Sequence, residues 1–372
     1  MRIAIVAESF LPQVNGVSNT VRHVVDELTA AGHGVLVVAP GPGDASYAGA
    51  TVVRLRSFPL PGYAGFPVGL PDRRAVADAL AAFAPDVVHL ASPAVLGAAG
   101  VSVARRLGLP TVAVFQTDLA GFVRQYRLRA DPAVWAWIRR VHTRADRTLA
   151  PSTVTAEQLR TAGVPRVSLW RRGVNLDLFR PVRRDLTLRR RLASNGELLV
   201  GYVGRLAVEK QVRRLTRIAD LPATRLVVVG DGPERAALER ALPGAAFLGM
   251  LRGEQLARAF ASLDVFVHTG EHETFCQTVQ EAQASGVATV VPAAGGPLDL
   301  VEHRASGMLF DPARPGDLRR AVSDLVQDDA LRARVADGGA ARVAGRGWGR
   351  VVDELVARHY GAVLQQPVGR AA

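Results

Sequence analysis

The run Glu271-His272-Glu273-Thr274-Phe275-Cys276-Gln277-Thr278-Val279-Gln280-Glu281-Ala282 places two carboxylates, Glu273 and Glu281, eight residues apart. Carboxylates accept hydrogen bonds from sugar hydroxyls. If the segment is helical throughout, the pair stands about 12 Å apart along the axis. That span suits a hexose and a ribose joined through a diphosphate. The free backbone N–H groups from Phe275 through Cys276 and Gln277 to Thr278 would then cradle the phosphates. Two surface glutamates on a polar helix would read the same, so the pair needs support from elsewhere.

That support comes from Gly201-Tyr202-Val203-Gly204-Arg205-Leu206-Ala207-Val208-Glu209-Lys210, a buried strand running into a helix. Arg205 and Lys210 emerge at the strand's C-terminal end, where two cations neutralise a diphosphate leaving group. Lys210 is the single lysine among 46 basic residues. In a chain that otherwise uses Arg throughout, the exception points to a need for a compact ammonium. Gly16, in Val14-Asn15-Gly16-Val17, lets backbone approach a phosphate at a helix start. Gly230-Asp231-Gly232-Pro233 and Ala293-Ala294-Gly295-Gly296-Pro297 are tight turns after strands; the first suits a nucleobase floor, although many βα turns look alike. With no Asp-x-Asp pair to hold a cation, no metal and no cofactor are expected beyond the donor itself. The absence of a Walker A sequence and of G-x-G-x-x-G argues against a P-loop NTPase and a dinucleotide dehydrogenase.

The elements that position these residues alternate. Val-rich runs at Arg2–Ala7, Gly34–Val38, Thr51–Leu55, Asp86–Leu90, Pro110–Phe115 and Arg147–Ala150 read as buried parallel strands. Between them lie helical periods at Thr20–Ala31, Arg73–Ala82, Ala94–Leu107 and Ala133–Ala145, the third with Ser92 and Pro93 as N-cap and first helical position. A second series follows: Leu198–Val203, Arg225–Val229, Ala246–Gly249, Val265–His268, Thr289–Val291 and Met308–Phe310. The expected architecture is α/β, with two doubly wound parallel-sheet domains facing each other across a ligand cleft. The expected boundaries are a first domain over 1–172, a linker over 173–195 and a second domain over 196–346. A helix over 347–364 crosses back, and 365–372 is a frayed tail.

Composition narrows the class. The 372 residues are 48% hydrophobic and 22% charged, which excludes disorder and small disulfide scaffolds. One cysteine, Cys276, excludes an internal disulfide framework. No run reaches the ~18 apolar residues of a membrane span, and the N-terminus lacks a leader pattern. The expected location is cytoplasmic, or peripheral on the cytoplasmic face of the membrane. The net charge of +12 points to an anionic partner, although a general preference for Arg accounts for the total. Its placement says more: Gly121–Arg147 holds seven Arg against two acids, with Trp135, Trp137 and Ile138 among them. That stretch and Arg54–Phe66 read either as a basic aromatic surface for anionic lipid or as core tryptophans with a solvated face.

In order, these motifs resemble the retaining glycosyltransferases of family GT4, with the GT-B fold. The carriers are Asn15-Gly16-Val17, Gly173-Val174-Asn175, Gly204-Arg205 with Glu209-Lys210, Gly230-Asp231-Gly232-Pro233, and Glu273 with Glu281-Ala282. Within that family the chain looks most like the GDP-mannose-dependent α-mannosyltransferases that build phosphatidylinositol mannosides and lipomannan. The resemblance implies that Arg205 and Lys210 bind the donor diphosphate and Glu273 the hexose hydroxyls. It gives backbone at Phe275 and Cys276 to the sugar, Glu281 to the ribose, and Gly16 to the diphosphate. It implies a nucleotide-sugar donor and a lipid-linked acceptor, with no nucleic acid. Two positions depart from the pattern: Gln116, followed by Thr117 and Asp118, stands where relatives carry His, and Asn175 where Asp is frequent. Gln116 and Asp118 remain able to bind a sugar hydroxyl. The competing readings are a UDP-sugar-dependent transferase, an epimerase of the same fold, and a basic module without catalysis. The last lacks any recognisable nucleic-acid-binding signature.

Overall fold

The computed structural model describes residues 1–59, 67–117 and 131–365. Met1–Arg172 with Trp348–Ala372 form one compact unit, and Gly173–Gly347 form a second.

The first unit is built on an eight-stranded sheet in the order β10-β9-β8-β7-β1-β2-β4-β3. Its strands are β1 (Arg2–Ala7), β2 (Gly34–Pro40), β3 (Ser46–Tyr47), β4 (Ala50–Leu55), β7 (Val87–Ala91), β8 (Thr111–Val114), β9 (Arg147–Ala150) and β10 (Val167–Leu169), parallel except for β3 against β4. A separate antiparallel hairpin pairs β5 (Ser57–Pro59) with β6 (Pro67–Gly69). Burial on both faces explains the unbroken apolar runs: Ile3 through Ala7 are all inaccessible. Helix α1 (Gly16–Ala30) starts in a capping box, the Asn15 side chain accepting from Val17 and Ser18 N–H while Ser18 accepts from Asn15 N–H. The helix Trp348–Glu354 and the turns through Leu364 complete this unit's core, with Trp348, Val351, Leu355 and Tyr360 packed among the residues of β1 and α1.

The second unit has six parallel strands in the order β13-β12-β11-β14-β15-β16. These are β11 (Leu198–Val203), β12 (Thr224–Val229), β13 (Ala246–Gly249), β14 (Val265–Val267), β15 (Ala288–Pro292) and β16 (Met308–Phe310). The order reverses between β11 and β14, and ligands of open α/β sheets bind outside the strand C-termini at such a point. Lys210 follows β11 and Glu273 follows β14.

Three expectations change, and one open alternative narrows. Residues 173–195 are not a free linker: Val174 and Phe179 are buried in the second unit's core and Leu186–Leu192 is helical. Isolated anchors rather than a periodic face hold this stretch, so no pattern shows in the sequence. Helix α2 (Leu96–Arg106) begins later than Ser92-Pro93 implies, and a carboxylate from β1's end caps it instead. The helix bearing Glu281 spans only Gln277–Ala284, because Cys276 takes the left-handed conformation at φ 81°. Glu273 therefore lies in the preceding turn, and the 12 Å helical spacing does not apply. Ile138 is buried core and Trp135 packs beside it. The Arg54 guanidinium donates to the carbonyls of Leu11, Pro40 and Asp44 within the unit, and Tyr63 and Phe66 of the same stretch lie outside the described residues.

Candidate active site

Short loops zip together at the C-terminal ends of β11, β12 and β14. Leu206 N–H donates to Asp231 O, and Glu234 N–H to Leu206 O, both at 2.9 Å. Gly230, at φ 131°, has no room for a side chain: a Cβ would stand 1.9 Å from Gly204 O. On the other side, Thr269 Oγ1 donates to Lys210 O at 2.7 Å. Arg214 ties the same turn down, donating to Thr269 O at 2.9 Å and pairing with Glu271 at 3.2 Å. Gly296 N–H holds Glu273 O at 2.7 Å.

This framework delivers Lys210 to Glu273. Their Nζ and Oε1 lie 2.6 Å apart, with the side chains 28% and 16% exposed. A third group, absent from the sequence expectations, reaches the same oxygen: His268 Nε2 stands 3.2 Å from Glu273 Oε1. Burial opposes charge on all three groups, and their mutual attraction outweighs it. Glu273 is held well below the usual carboxylate range by Lys210 and His268. His268 is raised to about 10 by Cys276 and Glu273, and Lys210 is raised by Glu273. Glu281 sits on the following helix, where burial pushes its carboxyl up to about 8.

The remaining expected donor residues divide. Arg205 pairs with Glu209 at 3.7 Å on the loop with Lys210. Tyr202 OH fixes that loop by donating to Arg205 O at 3.0 Å. Phe275 and Cys276 are buried beneath the turn. The Gln277 side chain turns away to donate to Gly173 O at 2.9 Å, and Thr278 Oγ1 lies 3.6 Å from Cys276 Sγ. Asp231 accepts from Gly232 N–H at 2.7 Å and pairs with Arg235 at 3.0 Å, so its carboxylate serves its own turn. A nitrogen of His268, a Glu273 oxygen and Cys276 Sγ lie within 4.8 Å of one another, the one such group among the described residues. A dication there would have to displace the Lys210 ammonium from the same carboxylate.

In the first unit, Gly16 opens α1 and lies near Arg172: a Cβ on it would stand 3.5 Å from Nη1. Arg172 Nη2 also lies 3.4 Å from Oε1 of the buried Gln116. This buried cation was not anticipated. Asp118 lies outside the described residues. Glu8, also unanticipated, accepts from the N–H groups of Ala94, Val95, Leu96 and Gly97. That contact spans up to 89 positions, and no local spacing signals it.

Residues 14–178 match Glycosyltransferase Family 4, and residues 185–342 match Glycosyl transferases group 1. A GDP-mannose-dependent alpha-mannosyltransferase of Mycolicibacterium smegmatis is 50% identical over the whole of both chains. A protein of the same name from Corynebacterium glutamicum is 43% identical, covering 98% of this chain and 89% of its own. Sucrose-phosphate synthase from Thermosynechococcus elongatus shares the fold at TM-score 0.78 and 21% identity, covering 97% of this chain and 99% of its own.

Proposed function

The chain belongs to glycosyltransferase family 4, and from that premise we propose that it moves mannose from GDP-mannose to a lipid-linked acceptor, with retention of the α configuration. The observation that carries the proposal is the Lys210–Glu273 pair at the point where the strand order reverses. One side supplies a cation for a diphosphate, the other an anion for sugar hydroxyls, and Arg205 adds a second cation on the same loop. In this reading Glu281 takes the ribose hydroxyls. The names of the two α-mannosyltransferase relatives supply the base and the sugar in this reading.

In this chemistry an acceptor hydroxyl oxygen bonds to the anomeric carbon as the bond from that carbon to the phosphate oxygen breaks. Both events occur on one face of the sugar. The departing diphosphate takes the acceptor proton and leaves as GDP. Arg205 and Lys210 stabilise the negative charge that grows on it. Glu273, held as an anion, binds and orients the hexose. The acceptor falls to the first unit, where Gln116 offers an amide to a hydroxyl.

Exposed apolar side chains on the first unit support a lipid-linked acceptor. Trp137 is 44% exposed and donates its indole N–H to Ala94 O, next to the exposed Val95. Phe58 lies in the hairpin and Leu70 directly follows it, and a Cβ on the hairpin's Gly69 would stand 3.4 Å from Leu96 in the same turn as Val95. Among the described residues no helix is long and apolar enough to cross a membrane, so the proposed association is peripheral.

Thermal unfolding with millimolar GDP, UDP, ADP, GDP-mannose, UDP-glucose and UDP-glucuronate tests the donor. A ligand at 100 times its Kd adds about 2.7 kcal/mol, which moves Tm by about 2 °C or more. Stabilisation by GDP and GDP-mannose alone is expected. Stabilisation by the UDP compounds alone would reassign the donor.

A further inference from the structure

Glu273 Oε1 has two cationic neighbours, Lys210 Nζ at 2.6 Å and His268 Nε2 at 3.2 Å, while its other oxygen takes part in neither contact. The histidine is an unusual choice for the end of a strand. It is 3% exposed, and its Nε2 stands 3.2 Å from Glu273 Oε1 without the alignment of a hydrogen bond. Buried polar groups are normally hydrogen-bonded, so a ring nitrogen that is close to a carboxylate oxygen but not aligned with it leaves room for a second state in which that bond is made.

Lys210 supplies the reason for such a state. Its backbone is fixed by Thr269 Oγ1, and only its side chain can turn. One ammonium cannot hold Glu273 and neutralise an incoming diphosphate equally well. If it turned away with no replacement, a buried carboxylate would be left without a counter-charge, which is strongly unfavourable. His268 lies across Gly270 from Lys210: a Cβ on Gly270 would stand 3.2 Å from His268 Nε2 and 3.3 Å from Lys210 Cα. Both side chains therefore approach one oxygen from neighbouring positions.

We propose that His268 is a positioning residue that takes over Glu273 Oε1 when Lys210 turns to the donor diphosphate. The hand-over keeps Glu273 ionised and leaves its second oxygen for the sugar. It frees Lys210 without exposing the carboxylate to an unpaired state. This rests on the donor-site assignment above, which it deepens by giving the resting ion pair a way to open.

The test is a double-mutant cycle read by calorimetric titration with GDP. His268→Ala is expected to weaken GDP at least tenfold, because releasing Lys210 then strands Glu273. Glu273→Gln removes the charge that needs holding, so adding His268→Ala to it should weaken GDP no more than threefold. His268→Gln, closer in volume, carries the same two comparisons if the alanine variant does not fold. Binding in the histidine variant within threefold of wild type would overturn the proposal. So would an equal loss in the Glu273→Gln background, which is what a merely structural histidine would give. Wild type that binds neither GDP nor any other nucleoside diphosphate would instead overturn the donor-site assignment itself.

Discussion

Lys210 Nζ and Glu273 Oε1 are 2.6 Å apart although 63 positions separate the residues. They meet because β11 and β14 are adjacent strands at the reversal of the sheet order, and each loop leaves its strand at the same edge. Charge and shape can be separated here. Lys210→Arg keeps a cation beside Glu273 and should leave Tm nearly unchanged. The larger planar guanidinium cannot reproduce a compact ammonium, so transfer should fall about a hundredfold, as for loss of one charge-stabilising donor. Glu273→Gln should cut transfer by about the same factor or more while leaving GDP bound. Radiolabelled mannose passing from GDP-mannose to lipid measures both; full transfer in either variant would remove that residue from the chemistry.

Glu8 makes a sharper stability prediction. Three of the four N–H groups it accepts, from Ala94, Val95 and Gly97, go to Oε1, and only Leu96 goes to Oε2. Burial raises its carboxyl, and these four bonds oppose the rise. Glu8→Gln keeps the oxygen that does most of the accepting and should cost about 1 kcal/mol. Glu8→Ala strands buried donors at the start of α2 and should cost about 3 kcal/mol. Denaturant unfolding followed by circular dichroism distinguishes them, and equal losses would show that the carboxylate's charge or its second oxygen matters rather than the one oxygen an amide keeps.

The pH dependence of stability should carry a component from Glu281. Its folded value of about 8 lies above the ordinary 4.5. As pH rises from about 4.5, the unfolded chain releases this proton while the folded chain keeps it, so stability falls until about pH 8 and is level above. Glu281→Gln removes this component: it should raise Tm at pH 8.5 relative to wild type and change it little at pH 4. It should also weaken GDP, since an amide replaces the expected acceptor for both ribose hydroxyls. An equal Tm difference at both pH values would contradict the sign.

Much of this was legible in the sequence. Parallel strands buried on both faces must be continuous apolar runs, and β1, β9, β11, β13 and β16 carry the bounds those runs imply. Arg205, Lys210 and Glu273 stood out because charged residues directly after such runs have only the loops to occupy. Their partners were hidden for different reasons. His268 reads as the last residue of a strand, and nothing local says which oxygen its ring faces. Glu8 and Arg172 act through contacts set by tertiary packing. The late helix start at Gln277 depends on a left-handed cysteine, a conformation that sequence pattern assigns to glycine.

Membrane association is the remaining expectation, and its two proposed segments now differ. Arg54 is occupied by three backbone carbonyls, whereas Trp137 keeps an exposed ring while its indole N–H is satisfied. An amphipathic ring with its polar edge already paired can enter an interface without stranding a donor. Co-sedimentation with vesicles containing anionic lipid should therefore succeed at low salt and weaken as salt rises, because exposed arginines such as Arg139 and Arg140 provide long-range attraction. Trp137→Ser should weaken binding about tenfold, the loss expected from about 50 Å² of apolar area no longer buried. Arg54→Ala should act mainly on Tm, through the carbonyls it leaves unpaired. No binding to anionic vesicles, or equal binding to neutral ones, would mean that the exposed ring and the charge serve something other than a lipid surface.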